Sequence, residues 1–376
     1  MAGKESIVFI NQNAGYLMID IIHAHTEYQQ RAIITGKLVP RNKSLDDSVV
    51  VKKIITYNRS SVIKRLFTWF WGFIQILWIV KTKYRKSDLF IITNPPFAVF
   101  IPLFCNNKFS VLIYDIYPDA LVAYKYISDH NIITRIWKRA NRKIFSKAQK
   151  IFTISDGMKK VLSAYVAEKK ICVVPIWTDN RFLKPVDKAS NIFIQQHQLQ
   201  DKFIVMYSGN LGHSHSLELI VEMASAIKDK EIYFVVIGEG DKKRLLSDLL
   251  KKNKLVNFVL LPLQEIEMLP FSLSAADLAV VTLGKEASEL SVPSKTFNLM
   301  SAGVPIMGIA ATSSELASII AHYQIGKCFS TTAIEEMIEF IQLVKSDKKY
   351  HSRLRQNALA ASEDFSPANA FKFVAS

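Results

Sequence analysis

Residues 203–227, FIVMYSGNLGHSHSLELIVEMASAI, run from a wholly apolar stretch through a glycine turn into a helical pattern. An apolar run without polar alternation marks a strand covered on both faces, the habit of a parallel sheet. Similar runs recur along the chain: SIVFI (6–10), VVVKKII (49–55), LFIIT (89–93), SVLIYD (110–115), KIFTIS (150–155) and ICVVPI (171–176), then IYFVVIG (232–238), VNFVLL (256–261), LAVVTL (278–283) and VPIMGIA (304–310). Helical stretches separate them, which predicts an α/β protein made of two doubly wound, Rossmann-like domains. The 376 residues, 49% of them hydrophobic, are enough for roughly two domains of 150–200 residues. The boundary is expected after VVPIWTDNRFLKP (173–185), where the polar VDKASN (186–191) precedes the next strand. The domains are therefore 1–185 and 186–376, and the terminal helix is free to pack back on the first.

The formal charge of +15 admits a nucleic acid, an anionic membrane surface or an anionic small molecule as partner. Its distribution favours the membrane, since the cations of 81–86 and 135–150 sit beside the most apolar part of the chain. That part is LFTWFWGFIQILWIV (66–80), with Lys64 and Arg65 before it and Lys81, Lys83, Arg85 and Lys86 after it. Tryptophans 69, 71 and 78 with cations at both ends have the composition of an interfacial helix. Two readings stand: a helix buried on the first sheet, or one that packs inward on one side and meets lipid on the other. At about 15 residues the segment is short for a span. The following NPPFAVFIPLF (94–104) extends the apolar patch as a loop and helix start. No run of 18 apolar residues and no signal peptide is present, so a cytoplasmic chain, peripheral to the inner face of the membrane through residues 62–86, is expected. Cys105, Cys172 and Cys328 lie far apart and read as small buried residues, without metal or disulfide roles.

Chemistry concentrates in the second half. The turn at Gly209, Asn210 and Gly212 presents backbone N–H groups of the kind that hold phosphate, and Gly238–Glu239–Gly240 repeats the arrangement after the next strand. The sharpest signal is SVPSKTFNLMSAGVPIMGIA (291–310). Pro293 and Ser294 read as a capped helix start, Lys295 puts a cation in a first turn whose dipole disfavours one, and Gly303 ends the helix. An anion at that point resolves the conflict, and a pyrophosphate supplies it; a lysine pointing into water is the alternative.

In order, FTISDGMKKVL (152–162), ICVVPIWTDNRFLKP (171–185), YSGNLG (207–212), VIGEGDKKRLL (236–246), AADLAVVTL (275–283) and VPSKTFNLMSAGVPIMG (292–308) resemble the GT4 family of glycosyltransferases, of the GT-B fold, in its WbuB-like capsule and O-antigen branch. The resemblance covers nearly the whole chain and is densest over 150–310. It implies two Rossmann-like domains facing a central cleft, a nucleotide-sugar donor on the second, an acceptor on the first, transfer with retention, and neither metal nor cofactor. Carried over by position, Gly209, Asn210 and Gly212 lie beside the donor phosphates, Glu239 and Gly240 near the nucleoside, and Ser294, Lys295 and Thr296 at the pyrophosphate. The family's pair of glutamates eight positions apart falls on Leu290 and Asn298, so the usual ribose carboxylate is missing. Glu289, one position off, and Asn298 are the candidate replacements. The Arg and Lys expected after the glycine turn are absent as well, which leaves Lys295, with Lys242, Lys243 or a cation from the other domain, to meet the leaving-group charge.

On the first domain, Asp115-Ile116-Tyr117-Pro118-Asp119 resembles the family's D-x-x-P-E/D stretch. Asp115, at a strand's carboxyl end, is the candidate to bind the acceptor hydroxyl or act as its base, or else an N-cap; Asp119 is the more natural cap. Gly15, after the first strand, completes the acceptor-side set. The reading is thus a glycosyltransferase acting on a nucleotide sugar, UDP-linked for preference, and on a lipid-linked or growing glycan, with no nucleic-acid partner. A UDP-sugar epimerase of related fold, a basic nucleic-acid or membrane-binding protein, and a scaffold without catalysis are the alternatives.

Overall fold

The structure, a computed structural model, describes residues 4–375 apart from 42, 59, 124, 214 and 285–292. The chain divides into two compact units, Met1–Ile176 with Pro367–Ser376, and Trp177–Ser366.

The first unit is built on a seven-stranded sheet. Its strands lie in the order Val50–Lys53, Tyr28–Thr35, Lys4–Ile10, Asp88–Ile92, Phe109–Ile113, Ile151–Thr153 and Ile171–Val173. Every pairing is parallel. Consecutive residues Val8, Phe9 and Ile10 are all fully buried, as expected of a strand with helices on both faces. Strand order reverses between Lys4–Ile10 and Asp88–Ile92, which makes the carboxyl ends of these strands and their neighbours the natural place for a ligand. The last segment, 367–376, returns to this unit, where the Phe373 ring packs 4.8 Å from Phe152 and 5.8 Å from Phe90.

The tryptophan-rich segment forms one helix, Val62–Lys83, of 22 residues. It is longer than the apolar core of its sequence because Ser61 caps it, accepting from the Lys64 amide, and because Lys81 and Lys83 suit its carboxyl end. By length and composition the helix is sufficient to cross a membrane. One face, however, is committed to the sheet: Thr68, Gly72, Ile76, Ile79 and Val80 are buried. The other face leaves Ile63, Phe67, Phe70, Trp71, Ile74 and Trp78 exposed. Of the two readings of this segment, the wholly buried helix is excluded. The stretch after it is a 3-10 helix, Pro96–Leu103, rather than a loop opening an α-helix; Pro102 inside it leaves its amide with no proton to donate.

The second unit carries a six-stranded sheet in the order Phe258–Leu261, Ile232–Ile237, Phe203–Ser208, Leu278–Thr282, Ile306–Ile309 and Gly326–Phe329. These pairings are also parallel. Here the order reverses between Phe203–Ser208 and Leu278–Thr282, the strand of the glycine turn and the strand LAVVT. The division between units falls at Ile176/Trp177, ahead of residue 185. Residues just beyond it already belong to the second unit: the Thr178 amide donates to the Phe365 carbonyl at 3.0 Å, and its hydroxyl to Asn298 Oδ1 at 2.7 Å.

Candidate functional site

A cavity of about 480 Å³ opens at the strand reversal of the second unit. Met206, Ser208, Ala279, Val280 and Thr282 reach it from the two central strands, Gly209 and Asn210 from the turn, and Ser294, Lys295 and Asn298 from the segment after residue 292. Leu263, Leu269 and Leu273 close an apolar side. Sequence reading thus brings Gly209, Asn210, Ser294, Lys295 and Asn298 into one place.

Lys295 dominates the site. The residue keeps part of its surface accessible, but its Nζ is buried and has no hydrogen-bond partner among the described residues. The ammonium instead lies 3.8 Å from the centre of the Tyr207 ring, which is a weaker substitute for water. Burial lowers its pKa to about 7, because an unpaired charge out of water is costly. A lysine pointing into solvent is therefore excluded. The cap assigned to Ser294 is corrected: its backbone is already helical and its side chain makes no capping bond. The helix Lys295–Ser301 is also only 7 residues long, so the pull on an anion comes from the lysine rather than from a helix end. The helix stops at Gly303, whose φ of +67° suits only glycine comfortably.

The glycines of the two turns interlock. A Cβ on Gly238 would lie 1.9 Å from the Gly209 carbonyl oxygen, and one on Gly240 would lie 2.6 Å from the Leu211 carbonyl carbon. The Leu211 amide donates to the Glu239 carbonyl at 2.8 Å, and the Lys242 amide to the Leu211 carbonyl at 2.9 Å. Gly240 and the Glu239 backbone thus shape the turn at Gly209 from behind and do not line the cavity. The Glu239 carboxylate is paired with Lys243 at 2.6 Å, and Gly212 packs beside the Asn210 amide. Thr296 is fully buried below the cavity wall. These four positions, expected at the donor, support the site from outside it.

The two other candidate cations of this unit are paired. Lys242 bonds Glu218 at 2.8 Å and the His215 carbonyl at 2.7 Å, and Lys243 holds Glu239. Asn298 presents its carbonyl oxygen to Thr178 and so keeps its NH2 group as a donor, the opposite polarity to the carboxylate it replaces. Glu289 and Leu290 lie outside the described residues. Sequence reasoning did not single out His215, Thr282 or Tyr207 as site residues. His215 Nδ1 meets Thr282 Oγ1 at 2.8 Å, and burial first, then the charge of Lys295, depresses its pKa. The Tyr207 hydroxyl donates to the Asn210 carbonyl at 2.7 Å, pinning the turn. The signal available for all three was position alone, at or near the carboxyl ends of the reversing strands.

On the first unit, Asp115 follows the strand Phe109–Ile113. Its side chain is exposed by surface area, yet the protein around it disfavours the carboxylate and raises its pKa. Asp119 is not available in the same way, because its carboxylate accepts from the Tyr165 hydroxyl and pairs with Lys138 at 3.4 Å. Gly15 ends the short strand Asn13–Gly15 at φ −111°, with open space where a Cβ would stand. It stands at the start of the helix Tyr16–Ala24. Among the described residues no three His, Cys, Asp or Glu side chains gather into a metal-holding group.

Solved structures share this architecture from end to end. HepE of Anabaena, in a complex with UDP and glucose, superposes with a TM-score of 0.72 at 13% identity, covering 99% of this chain and 98% of that one. The fold is GT-B. Residues 189–360 of this GT-B chain match the family model described as glycosyl transferases group 1. The probable glycosyltransferase WbjE of Pseudomonas aeruginosa is 28% identical over 253 residues, 64% of this chain and 62% of WbjE. The putative colanic acid biosynthesis glycosyl transferase WcaI of Escherichia coli K12 is 27% identical over 212 residues, 55% of this chain and 52% of WcaI. The matches span less than two thirds of either curated relative.

Proposed function

We propose that this chain is a GT4-type glycosyltransferase of surface polysaccharide synthesis, which moves a sugar from a nucleotide sugar, UDP-linked for preference, to a lipid-linked or growing glycan with retention at the anomeric carbon. The observation that carries the proposal is the buried Lys295 ammonium, without a hydrogen-bond partner among the described residues, in a cavity floored by the Gly209–Asn210 turn. A diphosphate is the group that matches a buried cation lacking an anion; the Gly209 and Leu211 amides are engaged by the Ile237 and Glu239 carbonyls, so the match rests on the lysine. The group 1 match and the UDP in HepE support the donor class. Retention rests on the family resemblance.

In the reaction the acceptor hydroxyl oxygen bonds to the anomeric carbon while the bond from that carbon to the phosphate oxygen breaks. The electron pair stays on the phosphate, and the hydroxyl proton passes to the phosphate or to Asp115. Negative charge grows on the departing oxygen, where Lys295 lowers the barrier; one such contact is worth about 3 kcal/mol. We assign the acceptor to the first unit, with Asp115 as its polar contact and the exposed face of Val62–Lys83 holding this unit at the inner membrane surface beside a lipid carrier.

Two outcomes test this reading. Asp115→Asn keeps the size and removes the base, so kcat is expected to fall by a factor on the order of 10², with the dissociation constant of the nucleotide sugar unchanged. Radiolabelled sugar appearing in an organic-soluble product at the parent's rate removes Asp115 from the reaction. The second concerns pH. Burial brings the Lys295 pKa to about 7, and a bound diphosphate raises that value. Below about pH 7 the ammonium is already formed and affinity is level; above it each binding event takes up a proton, and affinity weakens by up to about tenfold per pH unit. Calorimetry in buffers of different ionisation heat reads both effects. An affinity that stays flat from about pH 6 to 9 contradicts the assignment of Lys295.

A further inference from the structure

We propose that the basic helix Ile132–Lys147 is a second lipid contact of the first unit, taking an anionic phospholipid surface together with the tryptophan helix Val62–Lys83. This deepens the membrane association proposed above and rests on it. Neither helix contains an aspartate or glutamate, over 22 and 16 residues. Ile132, Ile133 and Ile136 are 65%, 63% and 58% exposed, although isoleucine ordinarily belongs to the core. Three such side chains within five positions make a patch, where single exposed residues would need no explanation.

Beside the isoleucines runs a stripe of cations at four-residue spacing, Arg135, Arg139 and Lys143, all exposed. None of the three has an ion pair among the described residues, whereas Lys138 on the same helix is tied to Asp119 and Asp129. The opposite face is packed through Thr134, Asn141, Ile144 and Phe145. An apolar stripe next to an acid-free cationic stripe is how a helix lies in the plane of an anionic interface, its side chains in the acyl boundary and its charges at the phosphates.

The two helices share an aromatic bridge. Phe97 of the 3-10 helix contacts Trp69 of the tryptophan helix at 6.4 Å and Trp137 of the basic helix at 6.1 Å, and Trp137 also meets Phe100 at 5.7 Å. At the end of that 3-10 helix Leu103 and Phe104 are exposed as well. A partner that covers the tryptophan helix therefore meets an apolar surface that continues onto this bridge. A protein partner would require acidic groups matched to both cation clusters; a bilayer with anionic headgroups supplies them everywhere.

The test is sedimentation of the full chain with phosphatidylcholine vesicles, with and without phosphatidylglycerol. Three variants are compared with the parent: Ile132→Ser/Ile133→Ser/Ile136→Ser, Arg135→Gln/Arg139→Gln/Lys143→Gln, and Trp71→Ser/Trp78→Ser, with circular dichroism confirming that each is folded. The parent is expected to bind the anionic vesicles at least about tenfold more strongly than the neutral ones, and each variant to lose about tenfold or more on the anionic ones. If the tryptophan variant loses binding while both basic-helix variants match the parent, the second contact is overturned and the membrane reading stands. If the parent binds neither vesicle, both fall.

Discussion

Replacing Lys295 with alanine is expected to cut turnover by a factor on the order of 10² to 10³, the loss seen when a single charge-stabilising group leaves a dry site, while the chain stays folded. The change removes an ammonium that no described residue satisfies by a hydrogen bond, so the folded state loses a penalty instead of a bond. An uncharged side chain there relieves the desolvation that holds the lysine near pH 7. Thermal unfolding should show a melting temperature equal to or above the parent's. Activity and stability thus move in opposite directions, which separates a ligand-binding lysine from a structural one. A variant that melts lower and still turns over normally would show the lysine to be part of the framework.

The second large effect is expected at a residue that never faces the cavity. Gly238→Ala places a Cβ 1.9 Å from the Gly209 carbonyl oxygen, a backbone atom that cannot swing aside as a side-chain end does. The turn at Gly209 and Asn210 must move, at a cost on the order of 3 kcal/mol. For a unit of this size that lowers the melting temperature by about 6–12 °C. Nucleotide-sugar affinity falls with it, since the displaced turn lines the site. Gly15→Ala is the control: its extended backbone and open surroundings leave stability within about 0.5 kcal/mol of the parent. Equal effects from the two substitutions would remove the interlocked turns from the account.

These cases show what is legible in a sequence of this kind. The two sheets were readable because parallel strands buried on both faces appear as unbroken apolar runs, and FIVMYS and IYFVVI need no partner to be recognised. Lys295 was readable because a cation at a helix start is locally unfavourable and calls for a reason. The reason itself required the third dimension: the Tyr207 ring beside the ammonium comes from a strand far back in the chain, and no described residue offers Nζ a hydrogen bond. The helix-end argument that pointed to Lys295 also proved weaker than the residue it found, since the helix is short and Ser294 does not cap it. Glu239, Gly240, Gly212 and Thr296 follow the family's order but serve the walls of the site, because local sequence does not say which side of a turn faces a cavity. His215 and Thr282 left no local signal; only strand order puts them at the reversal. Asp119 is held by partners that local sequence does not show, Lys138 on a later helix and Tyr165 in a later turn.

The central claim is that a nucleotide sugar's diphosphate binds at Lys295. Thermal unfolding of the parent and of Lys295→Ala against UDP-, GDP- and dTDP-sugars addresses it directly. At a hundred times its dissociation constant a ligand adds about 2.7 kcal/mol of stability. The account predicts such a shift for at least one nucleotide sugar in the parent, and its loss in Lys295→Ala at the same concentration. No shift with any donor, or the same shift in both proteins, would contradict it.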